Sequence, residues 1–300
     1  MALDEMFPPL PFNEWEATKN TLHLFAQIVG KVRLYHARPV NHWWHVPLYV
    51  SARGLTTGAI PYYDERFEME LDFIDHVLVI RCSDGFVHRI GLEDITVADF
   101  YQQVRATLNS RRIWTRMIPR PYGIPITDPF ATDEKHHTYQ REYVERFWHV
   151  LRSVNMIFEI YRSEFIGKCS PVHFFWHSFD LAVTRFSGRP APVAADADPV
   201  TREAYSHEVI SCGFWVGDDK MREPAFYLYA SPSPNGLASK PLQPASAFWS
   251  DLYGGTMALL RYEDIRKSDT AINDVMFFLE SGYKAAADLA GWDRKALERH

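Results

Sequence analysis

Apolar residues along this chain follow two periods, and the switches between them mark its elements. Trp15, Leu22, Phe25, Ala26 and Val29 recur at helical spacing, which predicts a long first helix. Gly30-Lys31 predicts its end, with a glycine suited to a left-handed cap and a lysine beside the negative helix terminus. "HVPLYVSARG" (45–54) then alternates apolar and polar, as a strand does. In "RFEMELDF", Phe67, Met69, Leu71 and Phe73 take one face and Glu68, Glu70 and Asp72 the other. "SDG" makes a tight turn in a hairpin over Val77–Ile90, and Thr96 is placed to cap a helix in "TVADFYQQVRATLNS".

A proline-rich connector, "IPRPYGIPITDPFATDEKHH", follows, and a second series begins. Tyr143, Phe147, Leu151, Val154, Phe158, Tyr161 and Phe165 lie three or four apart, one stripe of a helix read as ending at Gly167-Lys168. "CSPVHFFWHSFDLAVTRFSGR" (169–189), "HEVISCGFWVGDD" and "PAFYLYASPSP" read as strands, and "TAINDVMFFLESGYKAAADLAGW" as the closing helix. The plan is therefore α+β with mainly antiparallel sheet: two similar helix–three-strand–helix halves, 1–118 and 141–300, joined by a connector at 119–140 and packed as one unit. "IVGK", "PVNHWWH" and "LYV" in the first half match "FIGK", "PVHFFWH" and "LAV" in the second, which suggests an internal duplication.

Composition narrows the function. With 47% hydrophobic and 15% aromatic residues the chain can bury a large core and still line a pocket. A net charge of −6 argues against a nucleic-acid partner, which would need a basic face. No apolar run reaches the roughly 20 residues of a membrane span, and "MALDEMFPPLPFNEW" lacks the pattern of a secretion signal. The three cysteines, Cys82, Cys169 and Cys212, form no disulfide framework or metal knuckle, so a reducing cytoplasm is the expectation.

The candidate chemistry lies on the strands that follow the two long helices. Read as one strand, 173–184 puts His173, Phe175, His177, Phe179, Leu181 and Val183 on one face. Phe174, Trp176, Ser178, Asp180, Ala182 and Thr184 share the other. In the first half His45, Pro47, Tyr49, Ser51 and Arg53 form the matching mixed face. Aromatics with a few polar groups are the lining of small-molecule pockets, which often lie between packed halves. The expected site is therefore a hollow between the halves with His45, Tyr49, Arg53, Asp180 and Glu208 around it. His45 or Glu208 would move a proton and Arg53 would hold an anion. Lys31 and Lys168, each after a glycine, read as helix-end lysines.

Thirteen histidines raise a divalent metal as an alternative. His173 and His177 would sit about 13 Å apart on a straight strand, too far for one ion. A shared metal would need several elements, the set being His45, His177 and His207 with Asp180 or Glu208. A third reading is a non-catalytic ligand-binding or assembly protein, with a homo-oligomer built on the aromatic faces.

The segments "TLHLFAQIVGKVRL", "PVNHWWHVPLYVSARGLTT", "FIGKCSPVHFFWHSFDLAVTRFSGR", "REAYSHEV", "GFWVGD" and "AGWDRKALE" together resemble a bacterial family known as domain of unknown function 5996. The resemblance runs from about Trp15 to the C-terminus and implies a full-length unit of this size. It carries over no catalytic role.

Overall fold

The first helix does not stop at Gly30. In a computed structural model of the chain, which describes residues 6–194 and 196–299, helix α1 runs unbroken over Phe12–His36. Gly30 is there for space: a β-carbon on it would lie 2.2 Å from the Trp176 ring. The glycine lets an indole from the second half seat directly on the α1 backbone.

Among the described residues, each half holds six strands rather than three. β1 (Tyr49–Val50), β2 (Gly54–Thr56), β3 (Ile60–Tyr62), β4 (Glu65–Asp72), β5 (Val77–Cys82) and β6 (Val87–Gly91) form an antiparallel sheet of order β1-β2-β4-β5-β6, with β3 also on β4. Helix α2 (Val97–Ser110) follows, capped by Thr96, whose hydroxyl accepts the Asp99 N–H at 3.0 Å. Helix α3 (Arg141–Ser163) opens the second half. Its strands are β7 (His173–Phe175), β8 (Asp180–Pro190), β9 (His207–Trp215), β10 (Ala225–Ser231), β11 (Phe248–Ser250) and β12 (Met257–Arg261), in the order β11-β12-β10-β9-β8-β7. Short helix α4 (Pro199–Ala204) lies between β8 and β9. After β12 come α5 (Tyr262–Arg266), the long α6 (Ala271–Leu289) and α7 (Arg294–Leu297).

The two sheets meet edge to edge. Leu48 and Phe174 exchange both backbone hydrogen bonds at 2.9 Å, which places β1 beside β7. Cross-strand partners share a face, so the register sorts every side chain. Leu181, Phe214, Phe226 and Leu260 lie in one row, and Val183, Cys212, Leu228 and Ala258 in the next. This is the helix face: Leu228 reaches the Gly282 backbone of α6. Opposite runs a mixed face with Asp180, Trp215 and Ala225; Ala182, Gly213 and Tyr227; and Thr184, Ser211 and Tyr229.

The stretch read as one strand from His173 to Thr184 is a hairpin. β7 ends at Phe175, the chain turns over Trp176–Phe179, and β8 begins at Asp180. Phe179 completes the turn in the left-handed region, φ 59°. Because the turn resets the alternation, His173 pairs with Ala182 and Phe175 with Asp180. His173 thus joins the face of Asp180 instead of the opposite one. The Tyr49 ring lies 5.6 Å from that of His173, so Tyr49 and Asp180 look to the same side of the joined sheets.

The connector is folded onto the body. The Gln27 side chain donates to the Tyr122 carbonyl at 2.9 Å and accepts the Tyr122 N–H at 2.8 Å, and Phe130 is wholly buried. One apolar core runs through both halves, with Leu22, Leu71, Phe147, Phe174, Leu181 and Phe278 all in it. Among the described residues, no helix is long and apolar enough to cross a membrane.

Candidate functional site

Two consecutive left-handed residues, His42 (φ 57°) and Trp43 (φ 62°), open the site. Non-glycine residues held in this region cost about 1–3 kcal/mol each and persist only where surrounding contacts enforce them. For His42 those contacts are plain. Its Nδ1 faces the carbonyl oxygens of Glu203 and Ala204, the last residues of α4, at 3.1 and 3.2 Å. Two acceptors at Nδ1 require the proton there, so Nε2 carries the lone pair. That lone pair accepts from the Lys168 ammonium at 2.7 Å. Burial, followed by the Lys168 charge, holds the His42 pKa below its ordinary value. Burial also lowers that of Lys168. Among the described residues Lys168 makes no ion pair. Its Nζ instead lies 5.4 Å from the Trp44 ring centre and 5.1 Å from that of Phe186.

Rings from both halves surround this pair. His42 lies 4.6 Å from Phe186 and 5.6 Å from His207, and Trp44 lies 5.9 Å from both Phe186 and His173. Tyr49 closes the row beside His173, with the Arg33 guanidinium 5.3 Å from its own ring. His173 is 1% exposed, and its Nε2 has no hydrogen-bond partner. Burial pushes its pKa down to about 3. The seam therefore combines two cations, three imidazoles and three other aromatics. A patch of this kind suits an anion that also offers a planar or apolar body.

Farther along the same face lies a second polar group. Asp180 is buried and accepts hydrogen bonds from the Ser178 hydroxyl and, at 2.5 Å, from the Tyr227 hydroxyl. No cation is paired with it among the described residues, and burial raises its pKa. The Tyr227 ring reaches across β9 only because Gly213 lies beneath it: a β-carbon there would be 2.3 Å from the ring.

The residues expected to share a site are dispersed. Tyr49 stands at the seam and His207 at its rim. His45 belongs to the same loop, but its ring packs on Trp43 and its Nδ1 accepts the Val40 N–H at 3.2 Å. Arg53 is held by Asp72 at 2.5 Å and Asp75 at 3.0 Å on the first sheet. Glu208 is held by Arg189 at 2.7 Å and Ser187 at 2.9 Å. Asp180 pairs with Trp215 at one end of the β8–β9 ladder and Pro190 with His207 at the other. Eight residues of strand separate those ends, roughly 26 Å at 3.3 Å per residue. Asp180 and Glu208 therefore cannot act on one small molecule, and His177, in the turn beside Asp180, cannot share an ion with His207. Among the described residues, no three His, Cys, Asp or Glu side chains are grouped to hold a metal. Of the pair at the centre of the seam, His42 carried no site signal of its own in the sequence and Lys168 read as a helix-end lysine. The repeated "PVNHWWH" and "PVHFFWH" were the signal that both loops converge.

The fold and the seam define an α+β protein of two edge-joined antiparallel sheets with a cationic, aromatic patch at the junction. The chain belongs to the family of unknown function DUF5996, which matches residues 7–299. No curated protein and no solved structure matches it.

Proposed function

We propose that this protein is an enzyme acting on a small organic anion at the seam between its halves, by proton transfer through Lys168 and His42. The observation that carries this reading is the 2.7 Å contact between Lys168 Nζ and an imidazole nitrogen that must be unprotonated. Lys168 is exposed, but the rings beside it partly desolvate its amine and no carboxylate pairs with it among the described residues, so its ammonium is more acidic than usual. It can hold a substrate anion with its remaining N–H groups or give it a proton, and His42 orients the amine. Tyr49, Trp44 and His207 form the partly exposed wall against which the substrate body lies. The test is a thermal-shift screen of small carboxylates and phosphates. Ligands that raise the melting temperature of the wild type should lose that effect in Lys168→Met and His42→Phe, since bound ligand stabilises by RT ln(1 + [L]/Kd). Equal shifts in wild type and Lys168→Met would end the proposal.

The shared plan of the halves supports descent from a duplicated unit. Each runs from a long helix through an antiparallel meander to a further helix. The meander orders, β1-β2-β4-β5-β6 and β7-β8-β9-β10-β12, correspond strand for strand, and the two edge strands that meet, β1 and β7, are equivalent.

A further inference from the structure

We infer that the mixed face of the second sheet carries a separate binding cleft for an amphipathic organic anion. A hollow of about 480 Å³ opens there, bounded by β11, β12 and the segment before β10. That volume lies within the usual range for small-molecule sites. Its apolar wall is Met221, Phe248, Leu252 and Leu259. Leu259 is 1% exposed while Leu252 is 43% exposed, so the hollow runs from a buried floor to an apolar lip.

The rim is cationic. Lys220, Arg222 and Arg261 line it against a single carboxylate, Glu223, in a chain of net charge −6. Arg222 is engaged outside the hollow, with Glu16 at 2.7 Å and Asn13 at 2.8 Å. Arg261 pairs with Glu223 through Nε at 3.0 Å and lies over Phe248. Lys220 makes no ion pair among the described residues and rests over the Tyr253 ring at 5.2 Å. Lys220, with Arg261 and its Glu223 partner beside it, stands above an apolar floor and complements a ligand with a carboxylate, sulfonate or phosphate at one end and an aromatic or branched body at the other. β12 lies four strands from β7, so the cleft stands roughly 19 Å from the seam at about 4.8 Å per strand, and neither site depends on the other.

The test uses two fluorescent probes with one apolar body, anilinonaphthalene sulfonate and its uncharged analogue N-phenylnaphthylamine, titrated into the full-length protein. The titrations are made in Lys168→Met, where the seam has lost its amine, and the sulfonate should bind there at one site. Lys220→Met with Arg261→Met should weaken it about tenfold or more, as loss of charge-assisted contacts does, while the uncharged probe stays within about twofold. Ser250→Trp, which plugs the hollow, should abolish binding of both. The inference is overturned if Lys168→Met binds neither probe, or if adding the double substitution weakens both equally. Should Ser250→Trp not fold, the double variant decides, because Lys220 and Arg261 are exposed.

Discussion

Acid should destabilise this protein through His23, and the amount can be worked from its surroundings. His23 is 6% exposed within α1, its ring stacked 4.7 Å from that of Phe179. Its Nε2 lies 2.9 Å from the Trp176 carbonyl, so the proton sits there and Nδ1 is bare. A second proton would place an uncompensated charge in the core, and burial accordingly lowers the pKa from 6.5 to about 3. The unfolded chain keeps an ordinary imidazole and takes up the proton first as pH falls. Stability is then fully present above about pH 6.5 and is lost down to about pH 3. At about pH 5 the unfolded state gains RT ln(1 + 10^1.5), about 2 kcal/mol, whereas at about pH 7.5 it gains less than about 0.1 kcal/mol. Urea denaturation of wild type and His23→Leu at both pH values isolates this contribution. The variant should be less stable at about pH 7.5 by about 1 kcal/mol, for the lost hydrogen bond. Its decline between the two pH values should be smaller than that of the wild type by about 2 kcal/mol. An identical decline in both proteins would refute the reasoning, because His23 would then titrate alike in the folded and unfolded chains. His173, also held at about 3, adds a similar slope to both proteins and cancels in the comparison.

Further outcomes follow from close contacts. Gly30→Ala should lower stability by about 1–3 kcal/mol through collision with the Trp176 ring, although the same change in an exposed helix gains about 1 kcal/mol; a rise in melting temperature would contradict the packing. Tyr227→Phe leaves buried Asp180 with Ser178 alone and should cost about 1–3 kcal/mol in chemical denaturation, and an unchanged midpoint would mean that the pair contributes nothing.

Periodicity sufficed for what is local. The stripe from Tyr143 to Tyr161 became α3, "SDG" became a hairpin turn in which Asp84 accepts the Phe86 N–H at 2.9 Å, and Thr96 caps α2. These features rest on interactions spanning a few residues, so sequence alone decides them. The same holds for the α+β composition and for Tyr49 and Asp180 as polar groups on otherwise apolar ribbons. What lies beyond a few residues was decided elsewhere. Whether Gly30 caps a helix or receives an indole depends on Trp176, 146 positions away in the chain. Which face His173 takes depends on a turn at Trp176–Phe179 that alternation cannot reveal, since a turn of any parity fits the same residues. That Lys168 meets His42, while Asp180 and Glu208 stand at opposite ends of one ladder, follows from strand pairing and register. Those are set by the joint packing of two halves, and no single segment encodes them.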